Sequence, residues 1–230
     1  MNFTFGITTT PQSSIALQQI VDSITNENIP NFEIIIVGGN EAYDDGTMKV
    51  IPFDESIKKF WITKKKNLIT QHARYESIVY MHDYLVLKPG WYEGFLKFGN
   101  DFTICMTKVE NADGTRYRDW CLYKLDTDPL GVPDPQLLLP YEFKNLSHLM
   151  YISGAYWIAK KSIAEKYPQN ENVMWGDSED IEWSKRARQD KFYMNEYSAV
   201  KLMKWKHPVF IEPTPSTYEL LRKLNDAAGK

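Results

Sequence analysis

The sequence predicts an α/β fold, a mixed and mostly parallel sheet flanked by helices. Three observations point there. Two apolar runs, Phe3 to Thr8 and Phe32 to Val37, are separated by one helical stretch of about the length a β-α-β unit requires, which makes the two strands parallel. A third run, Ile78 to Met81, is apolar and partly β-branched, as strands buried on both faces are, and then breaks into His82-Asp83-Tyr84. Strand-like and helix-like patterns go on alternating, with no internal repeat and no low-complexity linker.

The first strand ends in the polar run Thr8-Thr9-Thr10-Pro11, and Ser13 or Ser14 can cap the helix that follows. That helix carries Ile15, Leu17, Ile20, Val21 and Ile24 at near-helical spacing, and Asn31 breaks the pattern. The second strand stops at Gly38-Gly39-Asn40. Ile57 to Thr63 is a weaker strand candidate, and Asn67 to Tyr75 a helix leading into the strand at Ile78. After Lys88-Pro89-Gly90 the aromatic segment Trp91 to Phe98 reads as a short helix, and Phe102 to Val109 as a strand. Residues 110–150 are less regular, because Pro129, Pro133, Pro135 and Pro140 interrupt any long element; such an insert in a compact domain is usually a lid or binding loop. Tyr151 to Ala159 resumes a strand pattern around Gly154, followed by helices at Ile163 to Tyr167 and Ile181 to Gln189, a strand at Tyr197 to Trp205 and a last helix at Ser216 to Ala228. One domain over 1–212 with a helical tail over 213–230 is the simplest account.

Composition sets limits. The chain has 230 residues, 43% hydrophobic and 25% charged, which is ordinary for a globular protein with a real core. A net charge of −3 gives no global reason to expect nucleic acid or an anionic membrane as partner. No window approaches the length of a membrane span and no signal peptide is visible; with Cys105 and Cys121 in no metal-ligand spacing, reduced thiols and a cytoplasmic location are expected. Aromatics reach 14%, enough to pack a core and to form platforms for sugars or bases.

Four stretches carry residues able to do chemistry. His82 and Asp83 end a buried strand, where open α/β sheets bind ligands; the plainer reading is a strand running out into water. Trp175 to Trp183 places Asp177, Glu179 and Asp180 just ahead of a helix. Carboxylates there are stabilised by the helix dipole, and Asp177 or Ser178 can be a plain N-cap, yet a carboxylate held at a helix start in a cleft is also a positioned general base. His207 follows the last strand, and with a carboxylate from another element it would suit Mn2+ or Mg2+. Lys64-Lys65-Lys66 reads as a solvated run, or as one that turns a lysine toward phosphate.

These stretches, in this order, resemble the glycosyltransferases of the GT-A fold, family 2 type, over roughly residues 1 to 210. Phe3 to Thr10 and Ile34 to Asn40 resemble the family's first two strands, and Lys66-Asn67 through Ala73 its "RN…A" helix. Glu76 to Trp91 (ESIVYMHDYLVLKPGW) matches strand, polar trio and Pro-Gly-Trp without a gap, and Gly154 with Trp175 to Arg186 resembles the glycine loop and acidic helix start. The resemblance implies transfer of a sugar from a nucleoside-diphosphate sugar, a UDP-sugar first, to a hydroxyl of a glycan or other acceptor, with inversion. It puts Thr8, Thr9, Gly38, Gly39, Lys66, Asn67, His82, Asp83 and Gly154 at the donor, Asp180 as base with Glu179 orienting hydroxyls, and Asp83 with His207 on Mn2+ or Mg2+. Tyr117, Trp120 and Tyr123 become acceptor platforms or part of a lid. The family's Asp-x-Asp is here His82-Asp83-Tyr84, and its second-strand acids are Gly38 and Gly39, with Asp44 or Asp45 as replacements. Two rivals are a non-catalytic sugar-nucleotide-binding module and a sugar-1-phosphate nucleotidyltransferase. The latter lacks its glycine-rich basic loop after the first strand.

Overall fold

A computed structural model of the chain describes residues 1–10, 14–39, 41–122, 137–206 and 213–229. The elements run β1 (Asn2–Thr8), α1 (Ser14–Thr25), β2 (Asn31–Val37), β3 (Tyr43–Asp44), β4 (Met48–Ile51), α2 (Ile62–His72), β5 (Ser77–His82), β6 (Leu85–Leu87) and α3 (Trp91–Phe98). They continue as β7 (Ile104–Glu110), β8 (Cys121–Leu122), β9 (Leu137–Leu138), β10 (Met150–Tyr151), β11 (Tyr156–Lys160), α4 (Lys161–Lys166), α5 (Glu179–Ala187), β12 (Phe192–Leu202) and α6 (Pro215–Ala228).

The main sheet has nine described strands in the order β3-β4-β2-β1-β5-β11-β7-β12-β6, and β10-β8-β9 form a small second sheet. β4, β2, β1 and β5 are parallel neighbours, β11 runs antiparallel between β5 and β7, and β12 pairs parallel with β7. Side chains alternate across the sheet as the pleat requires. Phe3, Phe5, Ile34, Ile36, Val79 and Met81 pack with Ile20 and Ile24 of α1 and with Trp91 and Phe95 of α3. Ile35, Val37, Ile78 and Tyr80 pack on the other face with Ile69 of α2 and Trp183 of α5. Each such buried side chain contributes about 1.5–3 kcal/mol. α2 lies so close on β1 that a Cβ at Gly6 would sit 2.2 Å from Ile69 Cγ2, which leaves room for glycine alone.

The structure corrects some expected elements. Ile57 to Thr63 is no strand: Ile57 is exposed, the segment is a turn, and Ile62 already opens α2. Hydrogen bonds tie it instead to the loop before α5, from Trp61 Nε1 to the Glu171 carbonyl (2.8 Å) and from Thr63 Oγ1 to the Val173 carbonyl (2.9 Å). The strand expected from Tyr151 starts at Tyr156, and the one expected from Tyr197 starts at Phe192. Within the irregular insert, Trp120 is a core residue whose Nε1 donates to the Phe143 carbonyl at 3.0 Å, so it offers no platform. Tyr123 and the prolines at 129, 133 and 135 lie outside the described residues, as do Ser13, Asn40 and His207. Cys105 and Cys121 are free and buried. No described helix is long and apolar enough to cross a membrane.

Candidate active site

The chain leaves β1 toward β2 on one side and returns through β5 on the other, so the switch in strand order falls between β1 and β5. Ligands of open α/β sheets bind beyond the carboxyl ends of the strands at that point. Thr8 is in register with Val37 on one side and His82 on the other, which aligns Thr8-Thr9, Gly38-Gly39 and His82-Asp83 in one row. Thr9 N–H donates to the Val37 carbonyl at 3.1 Å, and Thr9 Oγ1 donates to Asp83 Oδ2 at 2.8 Å. Gly38 has φ of 128°, and a Cβ there would lie 2.2 Å from the Thr9 carbonyl oxygen, so close backbone approach and conformation both require glycine.

Two clefts of about 350 Å³ each open beyond this row. Thr8, Thr9, Asp83 and Lys65 line the first; Gly154, Glu179, Asp180, Tyr117 and Arg118 line the second. His82, Tyr84, Trp175 and Lys206 line both and so mark their junction. Phe60 and Trp175, both more than half exposed, hold their rings 5.8 Å apart at the rim of the first cleft. Phe60 does so from a left-handed backbone, φ 57°, unusual for a bulky residue.

Beside the second cleft, the chain enters α5 through Gly176 (φ 94°) and Ser178 (φ 60°), and Ser178 makes no side-chain cap. Asp177 accepts from Met174 N–H at 3.1 Å. Asp180 takes the capping role itself: Oδ1 accepts from Ile181 N–H at 2.9 Å, and Oδ2 from Gly154 N–H at 3.0 Å. Gly154 passes directly under the acids, since a Cβ there would stand 2.8 Å from Glu179 Oε1 and 3.1 Å from Asp180 Oδ2. Glu179 is buried and faces Lys66 Nζ at 3.7 Å. Burial pushes the Glu179 carboxyl above its usual range, Lys66 opposes the shift and Asp180 adds to it.

At the junction, burial holds the His82 imidazole well below its ordinary pKa, and Lys66, Lys206 and Lys65 repel its protonated form. A hydrogen bond with the Gly154 backbone acts the other way. The ring is therefore neutral near pH 7, and its buried Nε2 has no hydrogen-bond partner among the described residues. Lys206 Nζ lies 3.6 Å above the centre of the Tyr84 ring. Burial, with repulsion from Lys204 and Arg118, pushes its ammonium down to about 8, while Asp83 pulls it up.

Of the residues singled out in the sequence, Thr8, Thr9, His82, Asp83, Gly154, Glu179 and Asp180 line one or both clefts; Gly38 packs against Thr9, and Gly39 follows it beside Val50. Lys66 instead backs Glu179 from inside α2, and Lys65 reaches the first cleft, paired with Glu55 and donating to the Thr9 carbonyl at 2.6 Å. Asn67 faces away: its amide donates to Glu171 Oε1 (2.9 Å) and exchanges hydrogen bonds with the Gln169 backbone (2.8 and 3.0 Å). Asp44, at the end of β3, and Asp45, just after it, are exposed, occupied by Lys49 and by the Thr47 and Met48 amides. The sequence reading held Lys65 only as one of the run Lys64-Lys65-Lys66 and missed Lys204, Lys206, Arg118 and Phe60; lysine and arginine are frequent on any surface, and only tertiary packing brings these to the clefts.

Among the described residues, no group of three or more His, Cys, Asp or Glu side chains gathers as a metal site. A hard dication wants six or more oxygens. The first cleft instead brings Lys65, Lys204 and Lys206 around Asp83, whose Oδ2 already accepts from Thr9. Of the two expected ligands only Asp83 is among the described residues, His207 lying outside them, and the lysines that line the cleft with Asp83 suit an anion better than Mn2+ or Mg2+.

No protein-family model matches the chain, and no curated protein does. Solved structures do. S. aureus TarS, residues 1–349, aligns over 99% of this chain and 65% of its own at 11% identity and a TM-score of 0.58. GalNAc-T7 with UDP, GalNAc and Mn2+ aligns over 97% of this chain and 47% of its own, at 13% identity and a TM-score of 0.64. TarS 1–349 in complex with UDP-GlcNAc gives 12% identity and a TM-score of 0.56, with 99% of this chain and 66% of that one covered. This chain thus spans about two thirds or less of the length of each. The architecture is the GT-A fold of glycosyltransferases.

Proposed function

We propose that this chain is a glycosyltransferase: it takes a nucleoside-diphosphate sugar in the first cleft and passes the sugar to an acceptor hydroxyl in the second. The observation that carries this reading is the Asp180 carboxylate, fixed by two backbone N–H groups and facing a cleft that joins the first at His82 and Lys206. A carboxylate accepts about four hydrogen bonds, so Asp180 keeps lone pairs for an incoming hydroxyl. In the proposed step the acceptor oxygen bonds to the anomeric carbon as the bond from that carbon to the diphosphate oxygen breaks. The hydroxyl proton passes to Asp180, and the electron pair leaves on the nucleoside diphosphate. A single displacement inverts the anomeric centre. Glu179, buried against Lys66, orients sugar hydroxyls, and neutral His82 offers Nε2 to one of them.

Thr8 and Thr9, which line the first cleft, and the Gly38-Gly39 turn in the row beside them bring backbone close to the nucleoside, and Trp175 with Phe60 supplies an aromatic wall for the base or sugar. The fold shared with proteins that carry UDP or UDP-GlcNAc makes UDP-sugars the first donors to try. The test is a panel of sugar nucleotides offered with simple glycan acceptors, read by release of free nucleoside diphosphate and by glycosylated product. Product with inverted linkage supports the proposal. Tight donor binding with neither product nor hydrolysis would favour a binding module instead.

A further inference from the structure

Positive charge collects where the two clefts meet. Lys206 lines both clefts, its Nζ 3.6 Å over the Tyr84 ring, and Lys204 Nζ stands 5.7 Å from the same ring. Lys65 closes the first cleft from α2 and Arg118 lines the second. Against them the first cleft sets Asp83, whose Oδ2 already accepts from the Thr9 hydroxyl, and Glu55, which is paired with Lys65; the second sets Glu179, which faces Lys66, and Asp180, which accepts from the Gly154 and Ile181 N–H groups. The face of Tyr84 attracts an ammonium but does not neutralise it. Lys206 is partly buried there, with Lys204 and Arg118 as cationic neighbours and Asp83 as an anionic one, so an anion seated at the junction meets it from either cleft.

We propose that Lys206, assisted by Lys204, binds the donor's diphosphate and stabilises the charge that develops on the leaving nucleoside diphosphate, without a divalent cation. The inference rests on the transferase reading and sharpens it. When the bond from the anomeric carbon to the diphosphate oxygen breaks, its electron pair stays on that oxygen; the Lys206 ammonium meets it as a hydrogen-bonding point charge. Asp83 holds Thr9 in place. A dication at Asp83 would add to the repulsion among the lysines, whereas a diphosphate relieves it.

The test uses the full chain and two probes, inorganic pyrophosphate and UDP, titrated calorimetrically in chelator and again with Mn2+, for wild type, Lys206→Met and Lys206→Arg. Binding in chelator is expected, changed less than about threefold by Mn2+, and weakened by rising salt. Lys206→Met should lose roughly tenfold to a hundredfold in affinity, the worth of a charge-assisted hydrogen bond, and Lys206→Arg should recover most of it. Melting curves check that each variant folds; if Lys206→Met does not, the chelator comparison on wild type and Lys206→Arg still decides. Binding that appears only with Mn2+, a Lys206→Met that binds as wild type does, or no binding of either probe overturns the inference. The two readings separate cleanly. Metal-dependent transfer leaves the transferase standing and removes the lysine site, whereas Lys206-dependent pyrophosphate binding without any transfer does the reverse.

Discussion

Asp180 holds both of its carboxylate oxygens against backbone N–H groups, and that is why a single atom change there should be decisive. Asp180→Asn keeps the volume but offers one acceptor oxygen to two donors and cannot take a proton. Transfer should fall by roughly two to four orders of magnitude while donor binding is largely kept, with a stability loss of about 1–2 kcal/mol. Wild-type turnover in this variant, measured at saturating donor, would remove Asp180 from the mechanism. Gly154→Ala tests the same geometry from below. Its Cβ would intrude 2.8 Å from Glu179 Oε1, so the acids must shift; we expect turnover to fall at least tenfold for about 1–3 kcal/mol of stability, read by parallel kinetics and urea titration. Acids behind a glycine and ahead of a helix leave a visible mark in a sequence, and so does a polar pair ending an apolar strand. Asn67 shows the limit of such reading: its neighbours in the sequence suggested a ligand, but Gln169 and Glu171, a hundred positions away, claim its amide.

Helices α2 and α5 are joined through Lys66 and Glu179, both almost fully buried. Removing one partner of a buried ion pair leaves the other uncompensated, so Lys66→Met and Glu179→Gln should each cost about 3 kcal/mol, and the double variant clearly less than their sum. Additive losses in urea unfolding would show that the two groups do not share one interaction. The pair also carries a pH signature. A carboxyl whose folded pKa is raised binds its proton more tightly in the folded chain, so its contribution to stability is full below the ordinary value of 4.5 and is lost as pH rises through the folded value. Wild type should therefore lose stability relative to Glu179→Gln as pH climbs from 4.5, and a gap that does not change with pH would contradict the shift. At this scale the elements legible in the sequence were those with dense apolar runs, β1, β2, β5 and α3. The two-residue β3, the half-buried β4 and the three-residue β6 carry too few side chains for a pattern, and only their sheet neighbours define them. The false strand at Ile57 to Thr63 had β-branched ends but no neighbouring strand to pair with, and its side chains went to the loop before α5 instead.

Over the whole molecule the net charge is only −3, yet the cleft beyond β1 and β5 gathers lysines; local field, not total charge, describes what such a surface attracts. The strand order that puts the cleft there was half legible. The parallel pair β1 and β2 follows from one short crossover, whereas the antiparallel entry of β11 between β5 and β7 depends on contacts far apart in the sequence. The C-terminal helix poses the same problem, since its sequence reads as an appendage. In the fold, Leu221 of α6 is fully buried in the cluster that includes Trp120 and Phe143, and Tyr218 sets its ring 5.0 Å from Phe143. Asn225 Oδ1 accepts from Asn145 N–H at 2.9 Å, and its carbonyl from Asn145 Nδ2 at 3.2 Å. Losing one buried leucine, most of an aromatic contact and two partly buried hydrogen bonds should cost about 3–5 kcal/mol. Typical domains have only about 5–15 kcal/mol in all. We therefore expect a chain ending at residue 212 to melt roughly 10 °C lower than the full chain, and Leu221→Ala to reproduce about half of that. A truncated chain that melts within about 2 °C of the full one would make α6 the loose tail its sequence suggests, and the packing of Leu221 dispensable.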